Sequence, residues 1–249
     1  GVVRNFGRPG ARLAPQEVRK QLLAMPAPDG LVVGEVFDLG DTIVGETLEA
    51  THESQRALVR QVLRDGKGLV IVGGGNDISY PDCAALSDVS SEVMALNIDT
   101  HFDVRACEPR NSGTPYRQLL EGGHVKPSRL YEVANKALNN PIRHRRYLED
   151  LGVNILPLRA LRDQRLIPPL ESALASSTAE AIFWGFDIDS VRASDAPGVS
   201  APCPIGLTAD EICEIARLAG GDVRSRILEL TEINPVFDVD KRTSRLVGY

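Results

Sequence analysis

"ALNIDTHFDVR", residues 95–105, starts as the apolar run of a buried strand and then sets Asp99, His101 and Asp103 at alternate positions. An isolated carboxylate loses water's solvation in an apolar interior, so three coordinating side chains this close together persist only if something positive lies between them. In an extended segment the three share one face, successive members roughly 6.5–7 Å apart. That spacing predicts convergence on one ion or an ion pair. "DIDS" repeats the device at the end of another hydrophobic run, with Asp187 and Asp189 two apart. Each Asp taken alone reads equally well as a helix cap, and His101 as a core histidine with satisfied hydrogen bonds. Both pairs together, at strand ends beside one His, favour the ion. Four carboxylates and an imidazole suit Mn²⁺, Fe²⁺, Co²⁺ or Zn²⁺, and the absence of thiolates argues against a structural zinc site.

Outward from this stretch, short apolar runs at 68–74, 93–99, 129–134, 153–158, 181–189 and 227–235 alternate with amphipathic candidates around 15–25, 47–65, 115–122, 141–151, 164–176 and 208–219. The alternation predicts βαβ units. These imply an α/β fold of three layers, α/β/α, around a central, mainly parallel sheet, with residues 1–249 forming a single domain. Functional groups of such a sheet belong at the carboxyl ends of the strands. Gly73–Asn76, Asp99–Asp103, Asp187 with Asp189, and Glu232 all fall at such ends.

Two loops add to the picture. "VGGGNDISY" (72–80) lacks the lysine of a phosphate loop and the spaced glycines of a dinucleotide fingerprint. Its glycines let the backbone turn sharply and bring Asn76 or Asp77 to the crevice; periodicity does not choose between them. "RACEPRNSGTPYRQLLEGG" (105–123) is a polar loop running into a helix. Arg105 follows the D-x-H-x-D segment directly and Arg117 opens the helix, so a guanidinium there can fork onto a substrate carboxylate. The alternative for Arg117 is simple pairing on the surface.

The chain has 249 residues, 43% hydrophobic and 25% charged, enough for one substantial core. A net charge of -6 without a basic stripe excludes nucleic acid as the partner. The one basic run, "RHRRYLED" (143–150), reads as a solvated helix face. The apolar runs are far shorter than the roughly 20 residues of a membrane helix. Four cysteines, at 83, 107, 203 and 213, show no C-x-x-C pairing and point to a reducing, cytoplasmic setting. The first residue is Gly, which leaves room for natural sequence ahead of it. Cys203, in the loop after Asp189, reads as a small buried hydrophobe, with oxidation beside the crevice as the alternative.

These motifs together resemble the ureohydrolase (arginase/agmatinase) superfamily, whose signatures are a G-G-x-H strand end, a D-x-H-x-D segment and a D-x-D segment around a binuclear manganese centre. The resemblance runs from "GVVRNFGRPGA" at the start to "TSRLVG" at the end. Within it, "GRPGA", "IDTHFDVR", "SGTPYRQLLEGG", "APGVSAPCPIGLT" and "LTEINPVFDVDKRTSRL" are similar to the formimidoylglutamase branch. That similarity implies hydrolysis of N-formimino-L-glutamate to L-glutamate and formamide.

By position, the resemblance implies two Mn²⁺ ions bridged by Asp99 and Asp187, with Asp103 completing one and His101 with Asp189 the other. Asn76 stands where the family's first histidine ligand usually is, which implies that one ion is held less tightly. Ser112 occupies the place of arginase's proton-shuttling histidine and so weakens an arginase assignment. Glu232 matches the acidic residue that meets the substrate's cationic nitrogen; its alternative is a buried ion pair or helix contact. Asp103, His101 and Glu232 are then the catalytic set, and Arg105, Ser112, Arg117 and Glu232 the substrate contacts. The competing readings are another ureohydrolase acting on arginine, agmatine or a guanidino acid, and an arginase-like protein impaired at its metal site. A homo-oligomer is expected.

Overall fold

The computed structural model describes residues 1–26, 36–106 and 108–249. Among them, strands β1 (Leu69–Val72), β2 (Val93–Ile98), β3 (Leu130–Val133), β4 (Asn154–Leu156), β5 (Ala181–Asp187) and β6 (Ser225–Thr231) form one sheet. Its order is β1-β6-β5-β2-β3-β4, and every strand pairing is parallel. Each strand overlaps a run expected from the sequence.

Period-two alternation divides the core between the two faces of the sheet. Met94, Leu96 and Ile98 of β2 point one way with Ile182, Trp184 and Phe186 of β5, whereas Val93 and Ala95 point the other way with Ala181 and Phe183. The first face is covered by α1 (Ala14–Ala24), α6 (Leu158–Asp163), α7 (Ile167–Ser176) and α8 (Ala209–Gly221). The second lies under α2 (Leu48–Arg64), α3 (Ser79–Ser87), α4 (Pro115–Glu121) and α5 (Ile142–Leu151). Local signals start several of these helices: a capping box of Thr208 and Glu211 on α8, the Thr47 cap on α2, and Pro in the first turn of α1, α4 and α7. On α5 the basic run is solvated as expected, with His144 and Leu148 facing inward.

Among the described residues, three helices were not anticipated: α3, α6 and the terminal α9 (Arg242–Gly248). In α3, seven of nine residues are buried, so no apolar stripe stands out against a polar one. Pro81 inside it also reads as a breaker, though in the first turn it costs no hydrogen bond. The chain leaves β1 for β2, builds outward through β3 and β4, and returns to fill the gap with β5 and β6. The carboxyl ends of β1, β6, β5 and β2 therefore lie side by side, although they are spread across the sequence from residue 72 to residue 231.

Candidate metal centre

The two acidic motifs leave their strands by the same device. β2 stops at Ile98, and the Asp99 carboxylate accepts a hydrogen bond from the His101 backbone N–H at 2.8 Å. After β5, Asp187 accepts from the Asp189 backbone N–H at 2.9 Å and starts a short 3₁₀ turn, Ile188–Ser190. Each first Asp thus folds the chain back on itself. The extended spacing expected for Asp99, His101 and Asp103 is not what brings them together: the turn at Asp99 and a left-handed Asp103 (φ 47°) do so. Asp tolerates that conformation better than most residues. Asn140 clamps the loop by donating to the Thr100 carbonyl and accepting from the Phe102 N–H, both at 2.9 Å. The Thr100 hydroxyl donates to the Asp189 carbonyl at 3.3 Å, tying one motif to the other.

Two groups of ligand atoms result, each lying within 4.8 Å: one from Asp99, His101 and Asp103, the other from Asp99, Asp187 and Asp189. Asp99 is common to both. His101 Nδ1 lies 3.4 Å from Asp99 and 3.5 Å from Asp189, so the imidazole sits between the motifs.

Asn76 and Asp77, which periodicity left open, both turn inward but to different partners. The Asn76 amide nitrogen donates to Asp103 Oδ2 at 2.7 Å, while its oxygen is held by the hydroxyls of Ser79 (2.8 Å) and Thr231 (3.1 Å). As it stands, the amide supports a ligand and does not offer its oxygen to an ion. Asp77 instead meets His52 of α2, Oδ2 to Nε2 at 2.8 Å. The buried Glu232, also left-handed at φ 63°, accepts from the Asn76 backbone N–H at 2.8 Å. Gly75 is required by space there: a Cβ would stand 2.4 Å from Val2 and 3.2 Å from Glu232 Oε1.

Of the loop residues, Arg105 is exposed and makes no ion pair among the described residues. It packs against Gly113, where a Cβ would come within 2.7 Å of its side chain. Ser112 is buried and accepts from Asn5 Nδ2 at 3.1 Å. Arg117 is engaged elsewhere, with Nε donating to Glu121 at 2.8 Å and the guanidinium lying 4.2 Å from the Tyr147 ring centroid. Arg105 and Arg117 nevertheless line one open groove of about 650 Å³, together with Tyr80, Arg110 and Thr114. No motif or spacing pointed to His52, Ser79, Asn97 or Glu229. Each is a single polar residue on an otherwise core-facing pattern, and only the sheet order shows what it touches.

The electrostatics ask for a cation. Burial, then the charge of Asp189, pushes Asp99 up to about 7. Burial and neighbouring carboxylates drive Asp103 and Asp187 well above the usual range. Burial lifts Glu232 to about 8. For His101, burial acts downward but is outweighed by Asp189 and Asp99, and the imidazole is pushed up to about 12. Asp99, His101, Asp103 and Asp187 thus hold their protons more tightly than usual, the behaviour of groups that share too much negative charge. Asp99 Oδ2 and Asp189 Oδ1 are buried without a hydrogen-bond partner. Hard, mutually close oxygen donors with one imidazole fit a divalent ion such as Mn²⁺.

A parallel sheet whose adjacent carboxyl ends carry this ligand set defines the class: an α/β protein with a carboxylate-rich metal centre. The chain belongs to the arginase family, whose sequence model matches residues 3–248. It is 31% identical over 264 residues to a formimidoylglutamase of Rhodococcus opacus, covering 98% of this chain and 78% of the relative. A formimidoylglutamase of Klebsiella pneumoniae is likewise 31% identical over 258 residues, with 98% and 78% covered. A crystal structure of Trypanosoma cruzi formiminoglutamase with Mn²⁺ superposes with a TM-score of 0.92 at 33% identity, covering 99% of this chain and 86% of that one. An arginase from Bacillus subtilis, at 20% identity and a TM-score of 0.85, shares the fold.

Proposed function

We propose that this protein is a manganese-dependent hydrolase that converts N-formimino-L-glutamate to L-glutamate and formamide. The observation that carries the reading is the pair of ligand groups joined at Asp99, with a guanidinium, Arg105, that makes no ion pair among the described residues on the loop that follows them. Asp99, His101, Asp103, Asp187 and Asp189 would hold two Mn²⁺ ions, with Asp99 and Asp187 serving both. When bound, the ions would supply positive charge that lowers the pKa of water toward ~7 and so makes hydroxide available near neutral pH.

The remaining work falls to the chain. Asp103, held at Oδ2 by Asn76, accepts a proton and returns it to the departing nitrogen. His101 stands between Asp99 and Asp189 and fixes the spacing of the two motifs. Glu232, on its strained strand end, receives the cationic formimino nitrogen. Arg105 forks onto a glutamate carboxylate, Arg117 adds positive charge to the same groove, and Ser112 shapes the loop through Asn5. An agmatine hydrolase would have no substrate carboxylate for Arg105. An impaired protein would not be expected to keep all five of these ligands.

Asn76 in place of a histidine implies that one ion is bound less tightly. Residues 1–249 are read as one domain that assembles with further copies, a reading supported by exposed apolar side chains such as Leu22, Leu23, Phe37 and Ile43. A reducing, cytoplasmic setting is supported by the free thiols of Cys83, Cys203 and Cys213. No helix among the described residues is long and apolar enough to cross a membrane. The test is release of formamide and glutamate from formiminoglutamate, with and without Mn²⁺, alongside arginine and agmatine. The reading requires Mn²⁺-dependent release and far slower turnover of the other two; comparable turnover of arginine would overturn the substrate.

A further inference from the structure

Directly below the ligands, the same face of the sheet carries a buried polar row. Register places Glu132, Asn97, Gly185 and Glu229 side by side on β3, β2, β5 and β6. The row lies one layer above apolar Leu130, Ala95, Phe183 and Ile227, and one layer below Asp99, Asp187 and Thr231. A Cβ on Gly185 would stand 2.4 Å from the Tyr116 hydroxyl, so glycine makes room for that phenol in the middle of the row. Glu229 lies at its β6 end. Among the described residues no Lys or Arg pairs with it, and burying such a carboxylate against an apolar layer is unfavourable unless it has a task.

Hydrogen counting reveals one. Ser79 Oγ lies 2.8 Å from Asn76 Oδ1 and 2.5 Å from Glu229 Oε2. A hydroxyl has a single proton, and an amide oxygen has none. Nor can the Asn76 amide be turned round, because its NH₂ is what donates to Asp103 Oδ2 at 2.7 Å, and an amide oxygen there would face a carboxylate oxygen. With the Ser79 proton on Asn76, the one between Ser79 and Glu229 comes from Glu229.

We propose that Glu229 is a positioning residue for the metal centre: as a neutral carboxylic acid it donates to Ser79, Ser79 donates to Asn76, and Asn76 donates to Asp103. This relay points every hydrogen toward Asp103 and pins one of its oxygens, leaving the other for an ion. The role rests on the reading of Asp103 as a metal ligand. Burial, then the charge of Asp82 and a hydrogen bond shared with it, push the Glu229 carboxyl well above the usual range, while the Ser79 contact acts the other way; Asp82 is itself held by Gln55 Nε2 at 3.0 Å.

The experiment strips the protein with a chelator and titrates it with Mn²⁺, following free Mn²⁺ by electron paramagnetic resonance, for wild type, Glu229→Gln, Glu229→Met and Ser79→Ala. Thermal unfolding reports whether each variant is folded. Glutamine keeps a neutral donor at the same place, so Glu229→Gln is expected to bind within about threefold of wild type. Glu229→Met and Ser79→Ala break the relay and are expected to weaken binding of at least one ion by about 10–100-fold, as for other partners of metal ligands. A purely space-filling role would be met by methionine as well as by glutamine. Folded Glu229→Met and Ser79→Ala that bind as wild type overturn the proposal, as does a Glu229→Gln as weak as Glu229→Met. If Glu229→Met does not fold, Ser79→Ala decides by the same criterion. Wild type that binds no Mn²⁺ overturns the metal reading itself, whereas normal wild-type binding with a flat series overturns only the relay.

Discussion

Both faces of the sheet are built from the same strands, yet toward the carboxyl ends they diverge. On one face Leu96 and Ile98 of β2, Trp184 and Phe186 of β5, and Leu228 and Leu230 of β6 stay apolar to the top. On the other, Ala95, Phe183 and Ile227 give way to Asn97, Gly185 and Glu229, and these to Asp99, Asp187 and Thr231. Residue parity therefore separates stability from the proposed chemistry: even positions of β2 and β5 hold the core, and odd ones climb from core to candidate metal ligand. A slip of one residue in register would exchange the two roles, so the apolar face also fixes where the ligands stand.

That division can be broken from either side. Asp187→Ala should lower kcat/KM for formiminoglutamate by on the order of a thousandfold or more, because a catalytic ion supplies several kcal/mol of transition-state stabilisation. The metal-free variant should melt no lower than wild type, since the change removes a buried carboxylate that already resists ionisation. Retained activity would show that chemistry does not depend on this face. One residue position away in parity, Trp184→Ala should cost about 3–5 kcal/mol in a urea titration. The fraction that stays folded should still take up Mn²⁺ as wild type does. Loss of metal from folded Trp184→Ala would mean that the faces are coupled more tightly than this division allows.

The sequence revealed the upper layer more readily than the middle one. All six strands announced themselves as apolar runs between turn signals, and the D-x-H-x-D and D-x-D motifs stood out because carboxylates are improbable at the ends of such runs. The middle layer was silent. Asn97 in "VMALNI" and Glu229 in "SRILELT" are single polar letters in strands, indistinguishable by pattern from surface positions until the sheet order places them between buried neighbours. Helix α3 was hidden for the converse reason, being buried nearly all round. The role of Asn76 needed the hydroxyls of Ser79 and Thr231, one three residues away and the other 155. Arg117, offered as a substrate contact with surface pairing as the alternative, is engaged by Glu121 and Tyr147.

The loop above the polar face supplies a smaller effect. Arg105→Ala should raise KM for formiminoglutamate by about 10–100-fold with little change in kcat, the value of a charge-assisted fork of roughly 1.5–3 kcal/mol. An unchanged KM would move carboxylate recognition to another residue of the groove.

The smallest expected effect is on the pH dependence of stability. In metal-free protein Asp99 and Glu232 hold their protons up to about 7 and about 8, against ~4 for carboxyls in an unfolded chain. His101 is raised too, so it retains its proton where an unfolded histidine has lost it. Between the unfolded and folded values the native state binds more protons than the unfolded one, and stability must fall as pH rises through that window. The melting temperature of metal-free protein should therefore drop by several degrees from about pH 5 to about pH 8, and saturating Mn²⁺ should flatten the slope. A slope that is level without metal would mean that the ligand face carries no such excess of protons.

The most direct test of the central claim is the Mn²⁺ stoichiometry of wild type against Asp99→Ala, read from the same titration on folded protein. Asp99 is the residue that both ligand groups share, so the account requires two ions per wild-type chain, the second weaker than the first, and less than one in Asp99→Ala. Two ions retained in the folded variant would contradict it.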